Sequence, residues 1–259
     1  MQAELRVIAL SGLPLFVPGM DIACAIIAAA ARQGEPIGAT DAVVVAQKIV
    51  SKVEGRRVAL ADVAVRADGA ALAARSGRPA PLVQLICDES SAILRASPAV
   101  IVTRHRSGHV LANAGIDASN VGGNSGGGED AHVLLWPRDP DASARALRAA
   151  LGPAGRPAVV IADSLGRAWR MGTLGTAIGC AGLAALHDRR GEEDLFGRPL
   201  QATVVAVADA IAAAAVLAMG EGDEGTPVAI VRGVGRWIAP EDGPGATAGL
   251  RPAAEDLFL

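Results

Sequence analysis

Tyrosine is missing from this chain of 259 residues, and aromatics make up only 2% of it. Stacking platforms for bases are therefore scarce, which argues against RNA or single-stranded DNA as a partner. A basic stripe is lacking too. The formal net charge is -3 and no Lys/Arg cluster stands out, so no nucleic-acid partner is expected. The three cysteines, Cys24, Cys87 and Cys180, lie in apolar runs without a CxxC pair, and buried, reduced thiols are the expected state. The apolar stretch Ile22 to Ala31 is too short to span a bilayer. The opening residues MQAELRVIAL carry no basic region ahead of an apolar one, so neither a signal peptide nor membrane attachment is expected. These absences point to a cytoplasmic protein.

Several catalytic signatures are also wanting. GxxxxGK[ST] does not occur, which excludes a P-loop, and GxSxG does not occur either. Gly233 and Gly235 in RGVGRW lack a following helix, so they make no dinucleotide fingerprint. His105 and His109 (HRSGH) have ligand-like spacing without a third ligand nearby, and read as exposed turn residues.

What is present is aliphatic: 51% of residues are hydrophobic, and a core of Ala, Val, Leu and Ile follows. Strands are expected over Leu5 to Leu10, the first half of Asp41 to Val53, Ala99 to His105, His109 to Ala114, His132 to Trp136, Pro157 to Ala162, Ala202 to Ala208 and Val228 to Val231. Helices are expected over Asp21 to Gln33, Gly69 to Ser76, Pro81 to Leu94, from Asp139-Pro140 to about Leu151, and Asp209 to Met219. Strands outnumber the helices between them in the first half, so an α+β fold with mixed sheets and flanking helices is expected. Residues 1–236 read as one unit, with two intertwined subdomains as an option, and 237–259 as a mobile tail.

Four polar segments lie where rigid elements end. In QKIVSKVEG, Lys48 and Lys52 share a face and suit either a polyphosphate or a solvated strand edge. NAGIDASN offers Asp117, a turn residue or a ligand. In IADSLGRAWR, Asp163 and Ser164 close a strand as a binding pair or as a cap, ahead of Arg167 and Arg170. MGEGDEGTP sets Glu221, Asp223 and Glu224 among glycines past a helix end, as a ligand loop or a flexible acidic one. If the four converge, their carboxylates need a cation, since two unit charges about 4 Å apart repel by about 4 kcal/mol at an effective dielectric near 20. Oxygen ligands select Mg²⁺ or Mn²⁺ over zinc.

Taken in order, LPLF (13–16), QKIVSKVEGR (47–56), NAGIDASN (113–120), DPDASA (139–144), DSLGRAWRMG (163–172), AIG with AGL (177–183) and MGEGDEG (219–225) resemble the coenzyme F420 γ-glutamyl ligases. That resemblance implies a two-part α+β homodimer that uses GTP to join L-glutamate to coenzyme F420-0, a deazaflavin, with later γ-linked additions. It implies two sites for Mg²⁺ or Mn²⁺, with K⁺ as a helper. Leu13, Pro14, Leu15, Phe16, Gln47, Lys48, Lys52 and Asn120 match nucleotide contacts, as does the loop Met219, Gly220, Glu221, Gly222, Asp223, Glu224, Gly225 and Thr226. Asp117 and Asp163 match ligands of one metal, Ser164 and Glu221 of a second. Lys52 is expected to steady charge during catalysis, and Arg167 or Arg170 to clamp a substrate carboxylate. Ser164 stands where the family usually has Thr, TLGT (173–176) replaces a more polar run, and GGNSGGG (122–128) is longer than expected. The rival readings are an amide ligase acting on another acidic acceptor and a non-catalytic nucleotide-binding relative.

Overall fold

The structure, a computed structural model, describes residues 4–122 and 131–256. The glycine run at 122–128 lies outside the described residues except for Gly122. Strand β1 (Arg6–Ala9) is followed by helix α1 (Ile22–Arg32), whose N-cap Asp21 accepts the Cys24 backbone N–H at 2.9 Å. That bond satisfies one of the amides a helix start leaves open. The expected burial of Cys24 fails: it sits on the exposed face of α1, whereas Cys180 is buried. Strand β2 (Ala42–Ala46) runs straight into helix α2 (Gln47–Val53). Lys48 and Lys52 thus share a face by i,i+4 helical spacing and not by strand alternation. The β-branched Ile49 and Val50 still reach the core from this helix, and such packing outweighs propensity differences of a few tenths of a kcal/mol.

Strand β3 (Arg57–Ala59) leads to helices α3 (Ala67–Ser76) and α4 (Ala80–Glu89), then to strands β4 (Ser90–Ala96), β5 (Ile101–His105) and β6 (Val110–Ala112). The helix expected over Pro81 to Leu94 therefore ends early. Ser90 turns its hydroxyl back onto the Ile86 carbonyl at 2.6 Å, and β5 then captures the following residues by antiparallel pairing. After β7 (His132–Leu134) comes α5 (Pro140–Ala150), capped by Asp139, which accepts the Ala142 N–H at 2.9 Å. The chain continues as β8 (Ala158–Arg167), β9 (Arg170–Ala181), β10 (Leu186–Asp188), β11 (Val204–Ala206), α6 (Val207–Met219) and β12 (Val228–Arg232). Strand β8 does not stop at Asp163 as expected. It runs on into a long hairpin with β9, pairing Asp163 with Thr176 and Ser164 with Gly175.

The central sheet has the order β1-β12-β2-β8-β9, with β2 and β8 parallel and the other neighbours antiparallel. Its middle strands are apolar on both sides, as strands covered on two faces must be. Val43, Val45, Val159 and Ile161 pack under α1 and α5, while Ala42, Val44, Ala158 and Val160 pack under α6. A smaller cluster joins α3 and α4 to the sheet of β4, β5 and β6, through Leu72, Val83, Ile86 and Ile101. The architecture is mixed α+β, with several sheets and flanking helices. None of the described helices is long and apolar enough to cross a membrane.

Two features of DPDASA turn out to be architectural. Asp141 is buried and accepts the N–H groups of Cys180 at 2.9 Å and Ala246 at 2.7 Å. A Cβ at Gly179 would fall 2.3 Å from the Pro140 carbonyl oxygen, so α5 seats against β9 only because that position is glycine. Past Trp237, where a mobile tail is expected, Asp242 pairs with Arg148 at 2.6 Å and Ala246 is buried.

His105 and His109 are not exposed turn residues: each is only 4% exposed. Ile101, Thr103 and His105 occupy the buried face of β5, so the alternation itself carried that signal. Burial holds the His109 imidazole down to about 4, and the neighbouring His105 adds to this. His109 is thus neutral in the folded chain and takes up a proton on unfolding below its ordinary value near 6.5. Its contribution is fully present above about pH 6.5 and is lost as pH falls toward about 4, a swing on the order of 3 kcal/mol. Urea melts of wild type and His109→Gln at pH 7 and pH 4.5 check this. The wild type should lose about 2–3 kcal/mol more than the variant. Equal losses would remove His109 from the account.

Candidate active site

One cleft of about 660 Å³ lies where β2 becomes α2, where β8 passes its midpoint, and where α6 ends. Leu13, Pro14, Leu15 and Phe16 line it, as do Gln47, Lys48, Lys52, Asp117, Asn120, Asp163, Ser164 and the whole loop from Met219 to Thr226. Every position matched to a nucleotide or metal contact in the sequence therefore faces one space. Arg167 and Arg170 do not: they stand beyond Gly166 at the hairpin tip, outside the lining, with Arg167 donating to the Met171 carbonyl at 2.9 Å. Their neighbours Trp169 and Met171 are 88% and 96% exposed.

The cleft has a cationic wall and an anionic floor. Lys48 and Lys52 project from the same face of α2. Burial pulls the Lys52 ammonium down first, and the charges of Lys48 and Arg57 pull it further. Lys48 Nζ reaches Asp117 Oδ2 at 3.2 Å, and Gln47 donates to the same oxygen at 3.1 Å. The Asp117 backbone is pinned by two hydrogen bonds with Leu134, at 2.9 and 2.8 Å. It follows three left-handed residues in succession, Asn113, Ala114 and Gly115, with φ of 52°, 53° and 71°. For non-glycine residues this conformation is uncommon. It is held here by Asn113 Oδ1, which accepts Arg78 at 2.5 Å and the Ile101 N–H at 3.2 Å.

Asp163 lies on the floor. Its Oδ1 accepts the Ser164 N–H at 2.8 Å and its Oδ2 accepts the Trp136 indole N–H at 2.7 Å. Burial and then the charge of Asp117 raise its carboxyl to about 6, against these hydrogen bonds and Lys48, which lower it. Beside it the Ser164 hydroxyl donates to Glu221. The 219–226 loop is internally braced: Glu224 Oε2 accepts the Gly222 N–H at 2.8 Å, Thr226 donates to the Met219 carbonyl at 2.7 Å, and Asn120 donates to the Gly222 carbonyl at 3.1 Å.

Among the described residues no three His, Cys, Asp or Glu side chains form a ready cation cage. The donor chemistry nonetheless suits a hard divalent cation shared with a ligand. Asp117 and Asp163 are oxygen donors, the charge of Asp117 disfavours that of Asp163, and Ser164 with Glu221 supplies further oxygens at the same floor. Magnesium in particular is held by one or two carboxylates plus substrate phosphates, not by an all-protein cage. The residue missed by sequence reasoning is Trp136, fully buried beneath the floor. Its signal was rarity, since it is one of three tryptophans in the chain.

Comparison with known proteins places the chain in a family. The profile of the F420-0:Gamma-glutamyl ligase family matches residues 12–233. The Coenzyme F420:L-glutamate ligase of Methanothermobacter thermautotrophicus is 43% identical over 256 residues, covering 98% of each chain. That of Methanopyrus kandleri is 40% identical over 221 residues, covering 84% of this chain and 85% of its own. That of Haloarcula marismortui is 41% identical over 237 residues, covering 88% and 87%. The match runs from the Leu13–Phe16 wall of the cleft to past its acidic loop, and the chain belongs to the F420-0:γ-glutamyl ligase family.

Proposed function

We propose that the cleft binds GTP and joins L-glutamate to coenzyme F420-0 through an acyl-phosphate. The observation that carries this is the pairing of two like-charge surfaces in one space. Lys48 opposes the charge of Lys52 on one wall, and Asp117 opposes the charge of Asp163 on the floor. An anionic polyphosphate relieves the first, a divalent cation relieves the second, and a metal–nucleotide supplies both. GTP as the nucleotide is what the resemblance of the sequence motifs implies, and F420-0 as the acceptor follows the name of the family.

The chemistry needs activation because the oxygen of a free carboxylate is a poor leaving group. An acceptor carboxylate oxygen attacks the γ-phosphorus, the bond to the β-phosphate oxygen breaks and GDP departs. The glutamate amine then attacks the acyl carbon, loses a proton, and phosphate leaves with one former carboxylate oxygen. Asp117 and Asp163 would hold one Mg²⁺ or Mn²⁺, and Ser164 with Glu221 a second, neutralising phosphate oxygens as charge moves between them. Lys52, half-buried on the cleft wall, adds a positive charge held in place by α2. The braced 219–226 loop and Leu13–Phe16 both line the cleft and would contact the nucleotide.

The test is product analysis by mass spectrometry, with protein, Mn²⁺, glutamate and F420-0, with and without GTP. Glutamate-sized increments that require GTP are expected. Nucleotide turnover with a different acidic acceptor and no increment on F420-0 would transfer the reaction to another substrate. No turnover with any acceptor would make the chain a nucleotide-binding relative.

A further inference from the structure

Trp136 ends a strand-like run in the sequence, yet in the structure it touches both segments that carry the floor carboxylates. Its indole Nε1 donates to Asp163 Oδ2 at 2.7 Å. Its other neighbour there is Gly115, two residues before Asp117. A Cβ at Gly115 would fall 2.3 Å from that same Nε1, and its φ is +71°. The ring cannot slide away, because His105 and His109 pack on it with centroids 5.1 and 5.4 Å off. Its backbone carbonyl is held by Arg56 Nε at 2.8 Å.

We infer that Trp136 is a positioning residue: it aims the Asp163 carboxylate and spaces it from Asp117, and so sets the affinity of the pair for a divalent cation. The inference rests on the reading above that Asp117 and Asp163 share that ion. Two details favour an indole for this task. It is a donor only and carries no charge, so it fixes a carboxylate oxygen without competing as a cation. With Ser164 N–H on Oδ1 and the indole on Oδ2, the carboxylate cannot rotate freely, yet each oxygen keeps a further lone pair for a metal. Losing such an outer partner typically weakens metal binding by about 10–100-fold.

Mn²⁺ binding by electron paramagnetic resonance, with a non-hydrolysable GTP analogue but without glutamate or acceptor, tests this on wild type, Asp163→Asn and Trp136→Phe, each with its melting temperature. Wild type should bind Mn²⁺, Asp163→Asn should lose it, and Trp136→Phe should bind about tenfold or more weakly. A merely structural tryptophan would lower the melting temperature and leave the affinity of the folded protein unchanged, which would overturn the inference while sparing the site. Absence of Mn²⁺ binding in wild type, or its persistence in Asp163→Asn, would overturn the underlying site and the inference with it. Should Trp136→Phe not fold, the wild-type indole N–H resonance of Trp136 decides. It should shift on Mg²⁺ addition with the midpoint of binding, and a resonance unmoved at saturation would overturn the inference.

Discussion

Asp117→Asn is expected to lower turnover by more than about 100-fold, the upper end of what losing an outer-shell partner of a metal ligand costs, while leaving the fold intact. The two properties separate because backbone and side chain do different jobs. The backbone of Asp117 is paired with Leu134 on both sides, and an amide side chain keeps an oxygen that Gln47 can reach. The carboxylate charge serves no core contact, since the side chain is about a quarter exposed beside Lys48. Its opposition to the charge of the buried Asp163 offsets its ion pair with Lys48. Removing it should leave the melting temperature level or slightly higher. Calorimetry together with turnover across a Mn²⁺ titration checks both halves. Wild-type turnover at saturating Mn²⁺ would remove Asp117 from the ligand set, and a collapsed melting temperature would make its role structural.

The largest stability effect is expected at Arg148, on α5. It is 1% exposed and all three of its guanidinium nitrogens donate. Nε donates to Pro157 O at 3.1 Å, one terminal nitrogen to Pro240 O at 3.1 Å and Asp242 Oδ1 at 2.6 Å, the other to Ala239 O at 2.7 Å. Only the forked geometry of arginine can serve such a set. A Cβ at Gly182 would fall 2.3 Å from Arg148 Nε, so β9 turns past this side chain only as glycine. Breaking a buried pair costs about 3–5 kcal/mol; Asp242 is partly exposed, which places Arg148→Met near about 3 kcal/mol. For a chain of this size that lowers the melting temperature by on the order of 10 °C. Arg148 does not line the cleft, so turnover per folded molecule should match wild type. A melting temperature within 2 °C or so of wild type would show that the C-terminal segment is held by other contacts.

The cleft was legible in the sequence because its parts are short linear motifs where apolar runs give way to polar residues. Asp117 and the 219–226 loop follow element ends, Asp163 lies inside β8 where its apolar half ends, and the structure turns all of them toward one space. Segments whose conformation depends on distant partners were less legible. QKIVSKV is β-branched enough to read as strand, but its apolar residues serve the core from a helix. The hairpin of β8 and β9 was half hidden because its tip carries Arg167, Trp169 and Arg170, which break the apolar run that marked Pro157 to Ala162. His105 and His109 read as turn residues because Arg106-Ser107-Gly108 is a turn. The ring that buries them comes from Trp136, about thirty residues on. Trp136 itself shows no motif: its function depends on contacts to Gly115 and Asp163 that only the fold creates.

The proposed chemistry has one atom to follow. F420-0 labelled with ¹⁸O in its acceptor carboxylate, incubated with GTP, Mn²⁺, glutamate and the protein, should yield phosphate that carries one ¹⁸O for each glutamate joined. Joined glutamate with unlabelled phosphate would contradict activation through an acyl-phosphate in this cleft.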